Sequence, residues 1–202
     1  MVDIMIGMYP DAHCELVHSN AFELTIAVLL SAQATDVGVN KVTKSLFEKY
    51  KKPDDYLAAP LAELEEDLRA IGLYKTKSKN VRKLCELLLT EYSGEIPGNY
   101  DDLIRLPGVG RKTANVVLSV WFKVPRIAVD THVERVSKRL EFARQKDNVL
   151  EVEKRLMYLL PEDKWSDAHH AMIFFGRYHC TARRPKCEDC LLYGLCRYKN
   201  KL

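Results

Sequence analysis

Four of the six cysteines lie close together near the carboxyl end of the chain, and thiols at this spacing are candidate ligands of a metal centre. Cys180, Cys187, Cys190 and Cys196 follow the pattern C-x6-C-x2-C-x5-C. Cysteines clustered in this way indicate metal binding rather than disulfides in an intracellular protein. A zinc site more often has two C-x2-C pairs, whereas this segment has one. The spacing also differs from that of the ferredoxins, so the residues alone leave the metal open.

A second group of residues, Leu106–Thr113, reads LPGVGRKT and predicts a turn that binds phosphate. Gly108 and Gly110 permit positive φ angles and a close approach of the backbone to a ligand. The next helix begins with unpaired N–H groups and a partial positive charge, to which Arg111 and Lys112 add two cations. The segment therefore predicts a helix–hairpin–helix in which a DNA phosphate fits without any contact to a base. A plain connection between two helices is the alternative.

Helical periodicity dominates the rest of the chain, and these helices must position the two chemical groups. Apolar residues recur at helical spacing in Ala21–Ala32, Val81–Tyr92 and Val116–Trp121. Asn20 and Asp36 are expected to cap two of the helices. Prolines and glycines interrupt the pattern at short intervals, and there is almost no strand signal. The sequence therefore predicts an all-α fold of about ten helices with short connections.

Composition and charge exclude several classes of protein. The chain has 202 residues, of which 47% are apolar and 29% charged, so a mostly disordered protein is excluded. No apolar run approaches the roughly 20 residues of a membrane helix, and the N-terminus does not read as a secretory signal, so a cytoplasmic protein is expected. The net charge is only +3, but residues 173–202 contain seven basic and two acidic side chains. This distribution favours one face for a polyanion, although a solvated helix face is the commoner cause of a charge run.

Several stretches together resemble the endonuclease III family of DNA glycosylases, from a helix–hairpin–helix superfamily with a Gly/Pro-rich loop and an aspartate. The resemblance rests on LPGVGRKTANVV at 106–117, VDTH at 129–132, LSAQATD at 30–36, IGLY at 71–74 and the four clustered cysteines. It extends from about Glu15 to Tyr198. Any one of these motifs would be weak evidence, but several in the same order are very specific.

The resemblance implies a bifunctional enzyme of base excision repair. It would remove oxidised or ring-saturated pyrimidines and then cleave the strand by β-elimination through a lysine Schiff base. Lys112 matches the family's nucleophile, and Asp130 matches the carboxylate that assists its deprotonation and stabilises positive charge on the sugar. Burial and the helix N-terminus would both disfavour the ammonium form of Lys112. The alternatives are a phosphate-binding surface lysine for Lys112 and a helix N-cap for Asp130.

The resemblance also implies a cofactor and residues that contact DNA. The four cysteines match the ligands of a [4Fe-4S] cluster, and the loop between the first two would present Arg183, Arg184 and Lys186 to phosphates, together with the Gly108–Arg111 turn. Gln33 would enter the vacated base stack, while Leu73 would wedge into the opposite strand. The alternatives are a polar residue at a helix end for Gln33 and a core leucine for Leu73.

Two helical domains with an active site in the cleft between them are expected from the resemblance. Residues 15–124 would form a six-helix domain with the helix–hairpin–helix, and residues 1–14 plus 125–202 an iron–sulfur cluster domain. The expected partner is double-stranded DNA that contains damaged pyrimidines or abasic sites. A monomer of bacterial type, associated with the nucleoid through DNA and with no membrane partner, is the expected state.

Two other functions remain open at this point. One is a monofunctional adenine or mismatch glycosylase of the same superfamily, which usually lacks a lysine at the position of Lys112. The other is a non-catalytic iron–sulfur protein that binds DNA, and the presence of both Lys112 and Asp130 argues against it. A strand-nicking assay on an oxidised duplex would separate all three.

Overall fold

The structure, a computed structural model, describes residues 1–198 and contains eleven α-helices and no strand in that part of the chain. The helices are α1 (Val2–Met8), α2 (Ala21–Leu30), α3 (Asp36–Lys49), α4 (Pro53–Ala58), α5 (Leu61–Asp67), α6 (Tyr74–Glu91), α7 (Tyr100–Leu103), α8 (Arg111–Val120), α9 (Thr131–Arg139), α10 (Val149–Leu159) and α11 (Trp165–Phe174). A 3-10 turn at Glu162–Lys164 precedes α11, and a π-helical turn at Phe175–His179 follows it. The predicted all-α fold is confirmed. Among the described residues, no helix combines the length and apolar character needed to cross a bilayer.

The helices fall into two compact units. One unit is the continuous stretch Glu15–Lys123, which contains the seven helices α2 to α8, one more than the expected six. The other unit, here called the discontinuous unit, combines Met1–Cys14 with the described residues from Val124 onward and contains α1, α9, α10 and α11.

Helix α2 lies at the centre of the continuous unit. Every residue from Phe22 to Leu30 is buried except Glu23, and the helix packs against α3, α6 and α8. A helix that is apolar on all sides must be enclosed by other elements, so α2 is a core helix rather than a surface helix with one apolar face. The carboxyl end of this buried helix leads directly into the loop that carries Gln33.

The starts of α2 and α3 are fixed by side chains that accept hydrogen bonds from backbone N–H groups. Asn20 caps α2 as predicted, since its Oδ1 accepts from the N–H of Glu23 at 2.8 Å. The predicted cap at Asp36 is wrong by one residue. Thr35 caps α3 through its hydroxyl, 3.2 Å from the N–H of Gly38. Asp36 is instead the first helical residue, where a carboxylate still complements the positive end of the helix.

The discontinuous unit has its own apolar core, to which all four of its helices contribute. The core includes Met5 from α1, Val133 from α9, Leu156 from α10 and Met172 from α11. Cys180, Cys190 and Cys196 pack against this core as partly buried side chains. Helix α1 packs on α11, so the first residues of the chain belong to the same unit as the cysteines.

Candidate functional site

The predicted phosphate-binding turn lies between α7 and α8, and its two glycines differ in backbone conformation and in structural role. Gly108 has φ +83°, and a Cβ added there would lie 2.8 Å from Leu29 Cδ1 and 3.0 Å from Asn80 Cβ. Only glycine fits this position, because the turn is pressed against α2 and α6. Gly110 has φ −96° and ψ −179°, so the expectation of a positive φ there is wrong. As the N-cap of α8, Gly110 needs the extended conformation.

The first turn of α8 places backbone N–H groups that no side chain caps next to two exposed cations. No side chain caps the helix, while Arg111 and Lys112 are exposed and the residues from Thr113 to Ser119 are buried. Arg111 is oriented by the first residue of α7: its Nη1 donates to the hydroxyl of Tyr100 at 3.1 Å, and its guanidinium lies 5.5 Å from the centre of that ring. This arrangement suits an anion placed at the start of α8.

Lys112 is the second residue of α8, and its side chain is exposed. The expectation that the protein buries this lysine is therefore wrong, because the buried face of α8 begins one residue later, at Thr113. The Lys112 ammonium makes no hydrogen bond or ion pair with any described residue. A lysine without a partner next to an anion-binding turn can either bind a phosphate or act as a nucleophile.

Asp130 caps α9, in agreement with the structural alternative for this residue. Its Oδ1 accepts hydrogen bonds from the N–H groups of His132, at 2.9 Å, and Val133, at 2.8 Å. Its Oδ2 makes no hydrogen bond with the described residues. The cap therefore fixes one carboxylate oxygen and leaves the other available for chemistry. Asp130 belongs to the discontinuous unit, whereas Lys112 belongs to the continuous unit.

The four clustered cysteines line one cavity in the discontinuous unit. Its volume is about 390 Å³, including the part open to solvent, and the aliphatic and aromatic side chains of Leu140 and Phe175 form part of its wall. No three His, Cys, Asp or Glu side chains within residues 1–198 are arranged to hold a single metal ion. Four thiols around one cavity are the donor set that an iron–sulfur cluster uses.

Two arginines that the sequence analysis missed hold the segment after Cys180. Arg139 donates from Nη1 to the carbonyl of Thr181 at 2.7 Å and from Nη2 to the carbonyl of Ala182 at 2.9 Å. Arg135 donates from Nε to the carbonyl of Cys180 at 3.2 Å. Their spacing of four residues, which places both on one face of α9, is the signal that could have drawn attention to them.

The basic loop between the first two clustered cysteines presents its cations to solvent. Arg183, Arg184 and Lys186 are exposed, and none of them pairs with a described residue. The loop backbone is held locally, because the hydroxyl of Thr181 donates to the carbonyl of Arg184 at 2.6 Å and the N–H of Lys186 donates to the carbonyl of His179 at 3.0 Å. The loop therefore offers three unpaired positive charges on a fixed backbone.

Gln33 and Leu73 both lie in the continuous unit, and both have left-handed backbone conformations. Their φ angles are +56° and +60°, which non-glycine residues rarely adopt. Leu73 is 57% exposed, so the alternative of a core leucine is wrong. Gln33 is exposed, and its side chain has no hydrogen-bond partner among the described residues. The two loops are neighbours, since a Cβ added at Gly72 would lie 3.8 Å from the carbonyl oxygen of Gln33.

Comparison with known proteins gives matches over most of the chain. A family model described as HhH-GPD superfamily base excision DNA repair protein matches residues 26–162, and one for the iron–sulfur binding domain of endonuclease III matches residues 180–196. Endonuclease III of Bacillus subtilis (strain 168) is 62% identical over 200 residues, which cover 99% of this chain and 91% of that protein. Endonuclease III of Escherichia coli (strain K12) is 47% identical over 193 residues, which cover 96% of this chain and 91% of that protein.

Solved structures agree with these matches. A trapped endonuclease III–DNA covalent intermediate, an estranged-adenine complex, has a TM-score of 0.95 and 64% identity, covering 98% of this chain and 92% of that chain. A thermostable thymine-DNA glycosylase has a TM-score of 0.90 but only 26% identity, and the match covers 100% of this chain and 95% of that chain. Taken with the cavity that its cysteines line, these similarities show that the chain belongs to the endonuclease III family of base excision DNA repair enzymes, whose cofactor is a [4Fe-4S] cluster.

Proposed function

We propose that the glycosylase and lyase activities of this chain depend on Lys112 as nucleophile and Asp130 as its carboxylate partner. The substrate is double-stranded DNA that contains an oxidised or ring-saturated pyrimidine, or an abasic site. The exposed ammonium of Lys112, directly after the anion-binding turn and without a partner among the described residues, is the observation that carries this assignment. A similar solved structure supports the assignment, because it is a trapped covalent intermediate between endonuclease III and DNA.

The proposed reaction begins when the neutral amine of Lys112 attacks C1′ of the damaged nucleotide. The C1′–N bond breaks, the base leaves with a proton, and the sugar ring opens to give an iminium between C1′ and Nζ. This iminium makes the C2′ proton acidic, so that its removal expels the 3′ phosphate by β-elimination. Loss of water around an amine favours its neutral form. Because Lys112 is exposed in the free protein, the bound DNA has to exclude this water.

Asp130 supplies a carboxylate of fixed orientation in this scheme. The two N–H groups at the start of α9 hold Oδ1, and Oδ2 is the atom that accepts the proton of the attacking amine. The same oxygen stabilises positive charge as it develops on the sugar. The helix cap and the catalytic group are thus one side chain with two oxygens in different roles.

DNA contacts are proposed for two parts of the chain. The Gly108–Arg111 turn binds a phosphate through backbone N–H groups and a guanidinium. Arg183, Arg184 and Lys186 bind further phosphates of the backbone without reading its sequence. Binding of this kind would place the protein on the nucleoid in a bacterial cell.

Cys180, Cys187, Cys190 and Cys196 are proposed as the ligands of the [4Fe-4S] cluster. When bound, the cluster supplies iron–thiolate bonds that tie the C-terminal segment together. This chain's own part is to hold the four thiols around one cavity and to fix the basic loop between the first two of them.

Borohydride trapping on a duplex with a single thymine glycol tests the assignment. The wild-type protein should nick the strand and, with borohydride, form a stable protein–DNA adduct that peptide mapping places on Lys112. Lys112→Gln should fold, keep the cluster and bind the duplex, yet form no adduct. An adduct on another amine, such as Lys138, would make Lys112 a phosphate ligand. Base release without an adduct or a nick would place the protein with the monofunctional glycosylases.

A further inference from the structure

A buried lysine that the proposed chemistry does not use lies beneath the two loops of Gln33 and Leu73. Lys77, on α6, is only 4% exposed. Its Nζ donates to the carbonyl of Leu30 at 2.9 Å and to the carbonyl of Ala32 at 2.7 Å. Burial lowers the pKa of this lysine. An ammonium group is costly to enclose, and among the described residues the Lys77 ammonium bonds only to backbone carbonyls, so its burial calls for a structural reason.

The two carbonyls belong to the segment that leads into Gln33. Leu30 is the last residue of α2, where a cation complements the negative end of the helix. The carbonyl of Ala32 is part of the peptide group that also contains the N–H of Gln33. Lys77 therefore fixes the orientation of the peptide plane from which Gln33 departs at φ +56°.

The same lysine is tied to Leu73 through its own helix. Leu73 is the N-cap of α6 at φ +60°, and its carbonyl accepts a hydrogen bond from the N–H of Lys77 at 3.0 Å. One residue thus bonds to both segments, with its backbone to the Leu73 side and with its ammonium to the Gln33 side. Strained backbone conformations persist where the surroundings determine them from several directions, and Lys77 supplies such a constraint at both loops.

We propose that Lys77 is a positioning residue that holds the loops of Gln33 and Leu73 at a fixed spacing, so that Gln33 can enter the vacated base stack while Leu73 wedges into the opposite strand. This inference rests on the insertion of Gln33 and Leu73 into DNA that the family resemblance implies. Lys77 itself stays buried and touches no DNA in this scheme. A buried cross-link between two inserting side chains is the kind of support that a site needs in order to hold its geometry.

Single-turnover kinetics of Lys77→Met test this role, because methionine fills a similar volume without a donor. Base excision from a thymine glycol duplex should slow about 10-fold, as expected for a displaced positioning element. Cleavage at a preformed abasic site should change by less than about 3-fold, since that nucleotide costs less to extrude. Lys83→Met, an exposed lysine on the same helix, is the matched control and should behave as wild type on both substrates. Equal losses on both substrates would make Lys77 a folding residue only.

A double-mutant cycle then asks whether Lys77 acts through Gln33. The Lys77→Met/Gln33→Ala protein should lose less excision than the sum of the two single losses, because changes at residues that act together are not additive. A 2-aminopurine beside an uncleavable abasic analogue gives a readout independent of turnover, and it should be brighter with Lys77→Met than with wild type, since the gap is less well filled. Additive losses, or unchanged fluorescence, would overturn the proposal.

Two further comparisons keep the outcomes distinct. If Gln33→Ala and Leu73→Ala show no selective loss of base excision, the proposed insertion fails, and the role of Lys77 fails with it. If they do show the loss while Lys77→Met matches wild type, only the role of Lys77 is wrong. Thermal melting checks that each protein is folded at the assay temperature. Should Lys77→Met be unfolded, Lys77→Gln carries the same test, because its shorter amide can reach only one of the two carbonyls.

Discussion

Arg139 donates a hydrogen bond to Sγ of Cys180 at 3.3 Å. The same guanidinium bonds to the carbonyls of Thr181 and Ala182, so one buried side chain joins a proposed cluster ligand to the start of the basic loop. Hydrogen bonds to cluster sulfurs and nearby positive charge both influence an iron–sulfur centre. The relationship predicts that cluster retention and DNA binding change together when Arg139 is altered.

Arg139→Met should lower stability and weaken binding to any duplex, although Arg139 itself is buried. The substitution leaves the carbonyls of Thr181 and Ala182 without their donor. Both residues are only partly buried or exposed, so water can replace the donor, and each lost hydrogen bond costs about 0.5–1.5 kcal/mol. Thermal melting, the visible absorbance of the cluster and duplex affinity measure the three effects. Lys138→Met on the same helix is the control, because its ion pair with Glu134 is worth less than about 1 kcal/mol. Lost stability with unchanged duplex affinity would show that the loop does not depend on Arg139.

The cysteine-lined cavity predicts a brown protein with about four irons per chain and a broad visible absorbance. Cys190→Ser should give protein with little cluster, because one lost ligand unpins the C-terminal segment. Cys14→Ser is the matched control, since Cys14 lies outside the C-terminal group, and it should keep the full iron content. Metal analysis decides the question. A colourless protein with one stoichiometric zinc would contradict the cluster.

The exposed cations of the basic loop predict a specific change in salt dependence. Arg184→Ala and Lys186→Ala should each weaken binding to any duplex and reduce the slope of log affinity against log salt by about 0.9. Titrations at several salt concentrations, with undamaged and damaged duplexes, measure the slope. Lys154→Ala, an exposed lysine of α10, should leave it unchanged. If the loop variants keep the slope of the wild-type protein, the loop does not contact DNA.

The left-handed conformation of Leu73 predicts that stability and activity move in opposite directions. Leu73→Gly removes the strain of a positive φ, which is worth about 1–2 kcal/mol, against about 0.5–1 kcal/mol of added chain entropy. The melting temperature should therefore stay level or rise, while excision from a duplex falls because the wedge is gone. Leu73→Ala keeps the strain and should lose excision without any gain in stability. Unchanged excision in both variants would return Leu73 to a structural role.

The elements that the sequence predicts well are those governed by local pattern. The buried stretches of α2 and α6 follow from helical periodicity, and the capping role of Asn20 follows from side-chain chemistry close in sequence. The [4Fe-4S] cofactor follows from the cysteine spacing only together with the family resemblance, because spacing alone left zinc open. Local rules also misplace details by one residue, as at Asp36, since neighbouring Thr35 competes for the same cap.

The parts that the sequence could not predict depend on distant contacts. Lys77 donates hydrogen bonds to carbonyls more than 40 residues away in the sequence. Arg139 donates hydrogen bonds to the loop after Cys180. No local sequence pattern indicates that either side chain is buried. The exposure of Lys112 was missed for a related reason. Periodicity identified α8 as a buried helix, but its burial starts only at Thr113, after the turn that Gly108 presses against α2.

The two oxygens of Asp130 predict that its structural and chemical roles can be separated by substitution. Asparagine is as good an N-cap as aspartate, so the free energy of unfolding of Asp130→Asn should lie within a few tenths of a kcal/mol of that of wild type. It loses the charge that assists the lysine and stabilises the sugar cation, so turnover should fall at least ~100-fold with duplex affinity retained.

Asp130→Ala loses the cap as well, which costs about 1 kcal/mol, and it should be equally slow but less stable. Melting curves, duplex affinity and single-turnover rates on thymine glycol measure the separation for all three proteins. Borohydride adducts with Asp130→Asn should still map to Lys112, only more slowly, because the nucleophile is intact. If Asp130→Asn turned over at the wild-type rate, the carboxylate would be a helix cap and nothing more, and the group that takes the proton of Lys112 would have to be sought elsewhere.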